Sequence, residues 1–363
     1  MQDVALRPAI WAADVLRQAL MGHAWVRTGP LYTAQQARDL GTELPDGFVG
    51  LVRREDDRVF AVDGDGFALL EALDTPKTLD RRATDKNLVR AMAEFAMDGV
   101  IAPASASAAA PRFIEMLPSL VSPSALDAVS RNVQRSYEAI DFALDWSEIL
   151  GESLSASLYV YGRRQPHDGV TGADLEHLAA QIDKWAGLER VMASEYWQGW
   201  HGAFDSPCRH KLYVSADASP AGLADAFAAL PALPRLRGAK IPAQAYHYGR
   251  PDYCVLYLAD EADVPIWSAA LREALSHMDG LGLSFTTPLD RKGVVSLGVD
   301  LPDEQDASQS HRARQSGLIA HHIHAATQNN ATRDDRKHEL HWRLFLHGYL
   351  GAGCISIEGN GAP

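Results

Sequence analysis

The sequence predicts an α+β protein: an N-terminal winged-helix-like module, a helical middle, and a C-terminal mixed sheet with helices. Three observations carry this. Residues 47–103 read as a hairpin followed by two helical patterns and a short strand. Residues 112–150 read as helical. From 208 onward, short apolar runs alternate with helical patterns.

Length and composition set the frame. At roughly 100–200 residues per domain, 363 residues imply two or three domains. The segment "PASASAAAP" (103–111) reads as a linker, although its alanines also allow a short helix. The expected domains are 1–103, 112–200 and 201–363. Net charge is −13, which disfavours a general nucleic-acid grip. Three scattered cysteines without a CxxC pair fit a reducing compartment. No apolar run reaches the roughly 18 residues of a membrane span, and the first residues lack the order of a secretion signal. A cytoplasmic protein without membrane or nucleic-acid partners is the expectation.

In the first module, residues 9–22 have helical spacing and end on Gly22. Residues 47–66 form two apolar runs around the charged turn 55–57, a hairpin signal. Residues 67–74 read as a helix. In 84–103, Thr84 is the expected N-cap, Leu88, Met92 and Phe95 form a stripe, and Gly99 is the C-cap. Further on, 155–164 (SASLYVYGRR) reads as a strand and 171–187 as a helix. In the C-terminal region strands are expected at 211–215, 238–242, 253–258, 283–286 and 293–299. Helices are expected there at 219–229, 262–277, 309–327 and 334–348. Residues 302–310 and 328–336 read as polar loops. "EYWQGWHGAF" (195–204) concentrates aromatics that suit either a core or a peptide groove.

Cations recur where strands begin. Lys211 opens "HKLYVS", Arg235 and Arg237 precede "GAKIPA" with its Lys240, and Arg250 precedes "YCVLYL". A lysine inside a strand points to solvent or pairs with an anion. Two readings stand: one shared anion site, or separate ion pairs with Asp205, Asp217 and Asp252. The C-terminal histidines include the i,i+3 pairs His321/His324 and His338/His341, a spacing that can share a metal. "HELH" is not HExxH and nothing completes a known metal set, so packing or surface roles are expected, with no metal and no cofactor. A metal-dependent hydrolase built on these histidines is the remote alternative.

Two family resemblances follow from particular stretches. "GLVRREDDRVFAVDGDGFALLEALDTPKTL", with the late "DGVI", resembles the pyrroloquinoline-quinone D type peptide-recognition element of ribosomal-peptide tailoring enzymes. It implies a precursor peptide whose leader adds a strand to the 47–103 module. Plain intramolecular packing of this wing is the competing reading. "HKLYVSADASPAGLADAFAAL", "AKIPA", "YHYGRPDYCVLYL", "LSFTTPLDRKG" and "SHRARQSGLIAHHI" occur in an order similar to the type-III-effector-like lyase domain of class V lanthipeptide clusters. That domain is related to the phosphothreonine lyases. Lys211–Tyr213, Lys240, Tyr248–Asp252, Phe285–Thr286 and Arg312 fall on its pattern.

The lyase resemblance implies β-elimination of phosphate from phosphoserine or phosphothreonine, beside a separate kinase-like protein. By its logic Lys240 is the base, and Arg250, Lys211 and Arg312 hold phosphate, with Arg235, Arg237 and Thr286 in the binding set. Tyr213 or His247 is the donor. The division of roles between Lys211 and Lys240 is left open. Asp252 either orients Arg250 or caps the turn. The chain departs from the pattern at Thr287, where a second lysine is usual, at Ala239, where an aromatic is usual, and at Tyr213, where the phosphothreonine lyases carry histidine. A non-catalytic partner that binds the precursor for another enzyme is therefore the alternative.

Overall fold

The computed structural model describes residues 16–79, 86–105, 113, 117, 130–164, 170–192, 194–203, 208–230, 233–300, 310–327, 332–346, 349–350 and 355–356. The expected N-cap Thr84, most of the linker and the loop 302–309 lie outside these residues. The chain divides into two compact units, Met1–Leu120 and Val121–Pro363.

The first unit is built from short elements. Helix α1 covers 16–21, followed by β1 (Ala24–Arg27), β2 (Leu31–Thr33), α2 (Ala34–Asp39), β3 (Gly50–Arg53) and β4 (Val59–Val62). Then come α3 (Gly64–Ala72), β5 (Lys77–Thr78), α4 (Lys86–Met97) and β6 (Ile101–Pro103). Two antiparallel three-stranded sheets result, in orders β5-β1-β6 and β2-β3-β4. The β3–β4 hairpin appears where the charged turn predicts it, with Asp57 at φ 64. Thr33 starts α2 with a reciprocal capping box, and the Asp63 carboxylate accepts from Gly66 N at 2.8 Å to start α3. Gly99, at φ 64, follows α4 and turns the chain into β6. Leu20, Trp25, Leu51, Leu70 and Ile101 are this unit's most deeply buried large side chains.

The second unit has one seven-stranded antiparallel sheet in the order β12-β13-β9-β11-β10-β8-β7. Its strands are β7 (Leu188–Met192), β8 (Trp197–Gly202), β9 (His210–Val214), β10 (Leu236–Pro242), β11 (Cys254–Leu258), β12 (Thr287–Pro288) and β13 (Val295–Val299). Helices α7 (Gly172–Ile182), α8 (Pro220–Ala228) and α9 (Asp263–Ala274) cover one face. There Leu212, Val214, Leu256, Ala239 and Ile241 meet Leu178, Phe227, Trp267 and Leu271. Helices α5 (Arg131–Leu150), α6 (Leu154–Tyr159), α10 (His311–Thr327) and α11 (Arg333–Leu346) share a separate core of Ile140, Leu154, Leu158, Ile319, Ile323 and Leu340. Helices α5 and α6 therefore pack with the last helices of the chain. Strands β7 and β8 belong to the same sheet as β9.

Two expected strands are not strands. Residues 155–164 form α6 and a turn. Leu154 and Leu158, one helical turn apart, are both buried in the helical core, and that packing overrides the β-propensity of the Leu-Tyr-Val-Tyr run. Residues 283–286 form a turn with Phe285 at φ 61. Side chains of α5 supply the hydrogen bonds that a neighbouring strand would otherwise give. Asn132 Nδ2 donates to Leu283 O at 3.1 Å, and Phe285 N donates to Ser136 Oγ at 2.8 Å.

A cationic face of the sheet as candidate active site

Strand alternation separates the two faces of the sheet residue by residue. The register pairs Lys211 with Tyr257, Tyr213 with Val255, and Lys240 with Val255. These residues therefore share one face, while their neighbours Leu212 and Ala239 enter the helix-covered core. Above the polar face, α6 contributes Tyr159 and α10 contributes Arg312.

Cations and aromatic rings alternate across this face. Lys211 Nζ and Lys240 Nζ each lie 5.9 Å from the centre of the Tyr257 ring. Lys240 Nζ also sits 4.3 Å from Trp197, and the Arg250 guanidinium sits 4.9 Å from the same ring. Tyr159 in turn lies 5.5 Å from Arg250 and 4.9 Å from Arg312. Such contacts hold cations at low entropic cost, each contributing about 0.5–2 kcal/mol.

Two carboxylates organise the set. Asp252 accepts Arg250 Nε on Oδ1 at 2.9 Å and Arg312 Nη1 on Oδ2 at 2.9 Å. Arg250 Nη2 adds a 3.2 Å bond to each of Asp252 Oδ2 and the Tyr159 hydroxyl. Arg312 is fixed further by the carbonyls of Tyr159 (2.7 Å) and Ser284 (3.3 Å). Burial alone would raise the Asp252 carboxyl, but the Arg312 and Arg250 guanidiniums overcome it and hold the group at about 2. Asp252 thus orients both arginines, and Arg250 Nη1 keeps no hydrogen bond among the described residues. Asp300 pairs with Lys211 and also accepts the backbone N–H of His311, the first residue of α10, at 2.8 Å.

Lys240 differs from the other cations. It is half-buried, yet it makes no hydrogen bond or ion pair among the described residues. Burial pushes its ammonium pKa down, and Arg250 adds to this, while Asp252 and Tyr159 oppose it. Burial also lowers Lys211, against the pull of Asp300. Tyr213 is buried, which raises its phenol well above the usual range, so the hydroxyl keeps its proton. Tyr257 is pushed up to about 12 by the same cause.

The structure brings together Lys211, Tyr213, Lys240, Arg250, Asp252 and Arg312. Arg237 joins their edge, 5.6 Å from the Tyr257 ring. His247 sits at the rim between the rings of Tyr196 and Tyr246, at 5.0 and 4.8 Å, and burial with Arg163 and Arg250 lowers its pKa. Arg235 is not part of the set: it is exposed and packs by Gly187, at the outer end of β10 beside the start of β7. Thr286 is fully buried, and its hydroxyl is used by Leu283 O, Ser296 and Asn132, so it braces the turn instead of contacting a ligand.

Tyr159, Trp197, Tyr257 and Asp300 were not singled out by the sequence. The aromatic stretch divides between the two faces of the sheet. Trp200 is buried in the core and donates to Asp183 at 2.8 Å, while Trp197 stacks in the site. Period-two alternation was the signal available for that division. Among the described residues, no group of three or more His, Cys, Asp or Glu side chains is arranged to hold a metal ion. No helix among them is long and apolar enough to cross a membrane.

No protein-family model and no curated protein matches the chain. Among solved structures, it is similar to the effector protein from Pseudomonas syringae pv. syringae strain 61, with 17% identity and a TM-score of 0.39 over 61% of this chain and 96% of that one. It is also similar to the effector protein from Pseudomonas syringae pv. tomato strain DC3000, with 14% identity and a TM-score of 0.39 over 62% of this chain and 98% of that one.

Proposed function

We propose that the protein is a phosphate-eliminating lyase acting on phosphoserine or phosphothreonine in a ribosomally made precursor peptide. The observation that carries this reading is Lys240, a half-buried amine without an acceptor, set among fixed cations. Elimination needs a base with a lowered pKa beside a place for a leaving dianion. In its neutral form Lys240 removes the Cα proton. The C–H electron pair becomes the Cα–Cβ double bond, and the Cβ–O bond breaks toward phosphate. Arg250 and Lys211 hold the phosphate, with Arg312 behind them, and Arg237 attracts it from the edge. Tyr213 gives its proton to the departing oxygen. The residues in hand supply each role without a cofactor.

The first unit suits a leader peptide. Strand β4 is one of the two outer strands of its sheet, with Val59 exposed on it and Phe48 and Val49 exposed at the start of the hairpin. A leader adding a strand there would complete the edge and cover apolar surface. A kinase-like protein of the same cytoplasm would supply the phosphorylated precursor. The test is incubation with a phosphorylated peptide, followed by mass spectrometry for loss of phosphoric acid. Unchanged peptide, with and without the kinase-like protein, would refute the lyase. Tight binding of the leader without turnover would instead leave a presenting protein.

A further inference from the structure

His311 has no role in the scheme above, although it lies against the same face. It is the first residue of α10 and is buried. Its Nδ1 lies 2.9 Å from Val299 O; a carbonyl only accepts, so Nδ1 carries the hydrogen. Nε2 is then a lone pair, and this buried atom has no hydrogen-bond partner. The Tyr213 hydroxyl makes no hydrogen bond among the described residues either. The two side chains converge over Gly298. A Cβ placed there would lie 3.3 Å from the Tyr213 oxygen and 3.3 Å from His311 Cδ2, the ring atom bonded to Nε2. Glycine at this position is what lets both rings lie on β13.

An acceptor without a donor and a donor without an acceptor therefore lie over the same glycine, not yet hydrogen-bonded to each other. The charges around His311 decide what the pair can do. Burial, with Lys211 on β9 and Arg314 on its own helix, holds the imidazole at about 4, against the Val299 carbonyl and Asp300 beyond β13. Tyr213 faces it as a neutral phenol. A dianion seated among Lys211, Lys240 and Arg250 reverses the local balance. An opposite charge within a few ångströms raises an imidazole by about 1–3 pH units.

We propose that His311 is a positioning residue that takes up a proton when a phosphate dianion enters the cluster and delivers it through Tyr213. The proposal rests on the lyase reading for its catalytic consequence, but the proton uptake needs only a dianion. On binding, Nε2 gains a proton from solvent. As the Cβ–O bond breaks, the Tyr213 proton moves to the departing phosphate oxygen, and the Nε2 proton moves to the tyrosine oxygen. The proton that entered with the substrate leaves on hydrogen phosphate, and His311 returns to its neutral form.

Sulfate is the probe, because it is a dianion that does not itself titrate between pH 4 and 8. The histidine ring nitrogens of the whole chain are followed by NMR from pH 4 to 8 with and without sulfate, and His311→Gln assigns the signal. The expected result is an upward shift of the His311 midpoint by about 1–3 pH units, retained in Tyr213→Phe. A midpoint unmoved by sulfate, whether from lack of binding or from a ring that stays neutral, overturns the proposal. With phosphopeptide, the wild-type elimination rate should fall at alkaline pH, and His311→Gln should lose that limb. If the wild type eliminates and His311 does not shift, this inference alone fails. If His311 shifts and no elimination occurs, the lyase reading fails and the proton uptake stands.

Discussion

The two faces of the seven-stranded sheet share the same strands and do opposite work. On β9, Leu212 and Val214 enter a helix-covered core, while Lys211 and Tyr213, their immediate neighbours, face an array of cations and rings. The core face is held by apolar burial, at about 25 cal/mol per Å². The cationic face is costly by itself, since like charges are gathered in a half-buried place. It persists because Asp252 and Asp300 offset part of the charge and the rings shelter the rest. Apolar packing and clustered charge are thus separated by a single residue step along a strand.

The largest test of this division is Lys240→Met. It should lower elimination by about 10²–10⁴-fold, the usual worth of a general base, with little change in thermal unfolding. Activity within threefold of wild type would show that the cationic face does not use its most distinctive residue. Next is Asp252→Ala, which strands a buried Arg312. Urea unfolding should show a loss of about 3–5 kcal/mol, and weaker binding of sulfate should accompany it. Leu212→Ala, on the opposite face of the neighbouring strand, should cost about 2–5 kcal/mol and leave sulfate affinity unchanged once folded. A similar affinity loss in both variants would erase the contrast between the faces.

The pH dependence is smaller and more diffuse. His311 and His341 are held at about 4 by burial, below an unfolded value near 6.5. Between these values the unfolded chain binds more protons, so stability rises with pH. It is fully present above about 6.5 and is lost as pH falls toward 4, by on the order of 3 kcal/mol for each ring. Unfolding at pH 7 and pH 4.5 reads this, and His311→Gln should remove about half of the difference seen against the double His311→Gln, His341→Gln variant. The smallest expected effect is Trp197→Ala. Losing one ring beneath Lys240 and Arg250 should weaken substrate capture by roughly 2–30-fold through KM, with kcat less affected. A change confined to kcat would place Trp197 in the chemistry instead.

Most of the C-terminal secondary structure was legible, because its signals are local. The apolar runs at 211–215, 238–242, 253–258 and 293–299 became β9, β10, β11 and β13, and Ser219-Pro220 starts α8 as an N-cap and first helical residue. The exceptions were decided by distant partners. SASLYVYGRR carries strand-like residues, yet the helical core takes Leu154 and Leu158. The turn at 283–286 depends on Asn132 and Ser136, more than a hundred residues earlier.

For the site, the sequence by itself determined which residue types stand at the strand starts, and alternation determined that Lys211 and Tyr213 share a face. Only the tertiary structure decided the rest. It brought Arg312, 60 residues further along the chain, onto the carboxylate that also holds Arg250, removed Arg235 and Thr286 from the set, and laid Tyr159, Trp197 and Tyr257 between the cations. The physical reason is range. Periodicity and capping act over a few residues, whereas charge pairing, desolvation and ring contacts depend on distances in space between segments far apart in the chain.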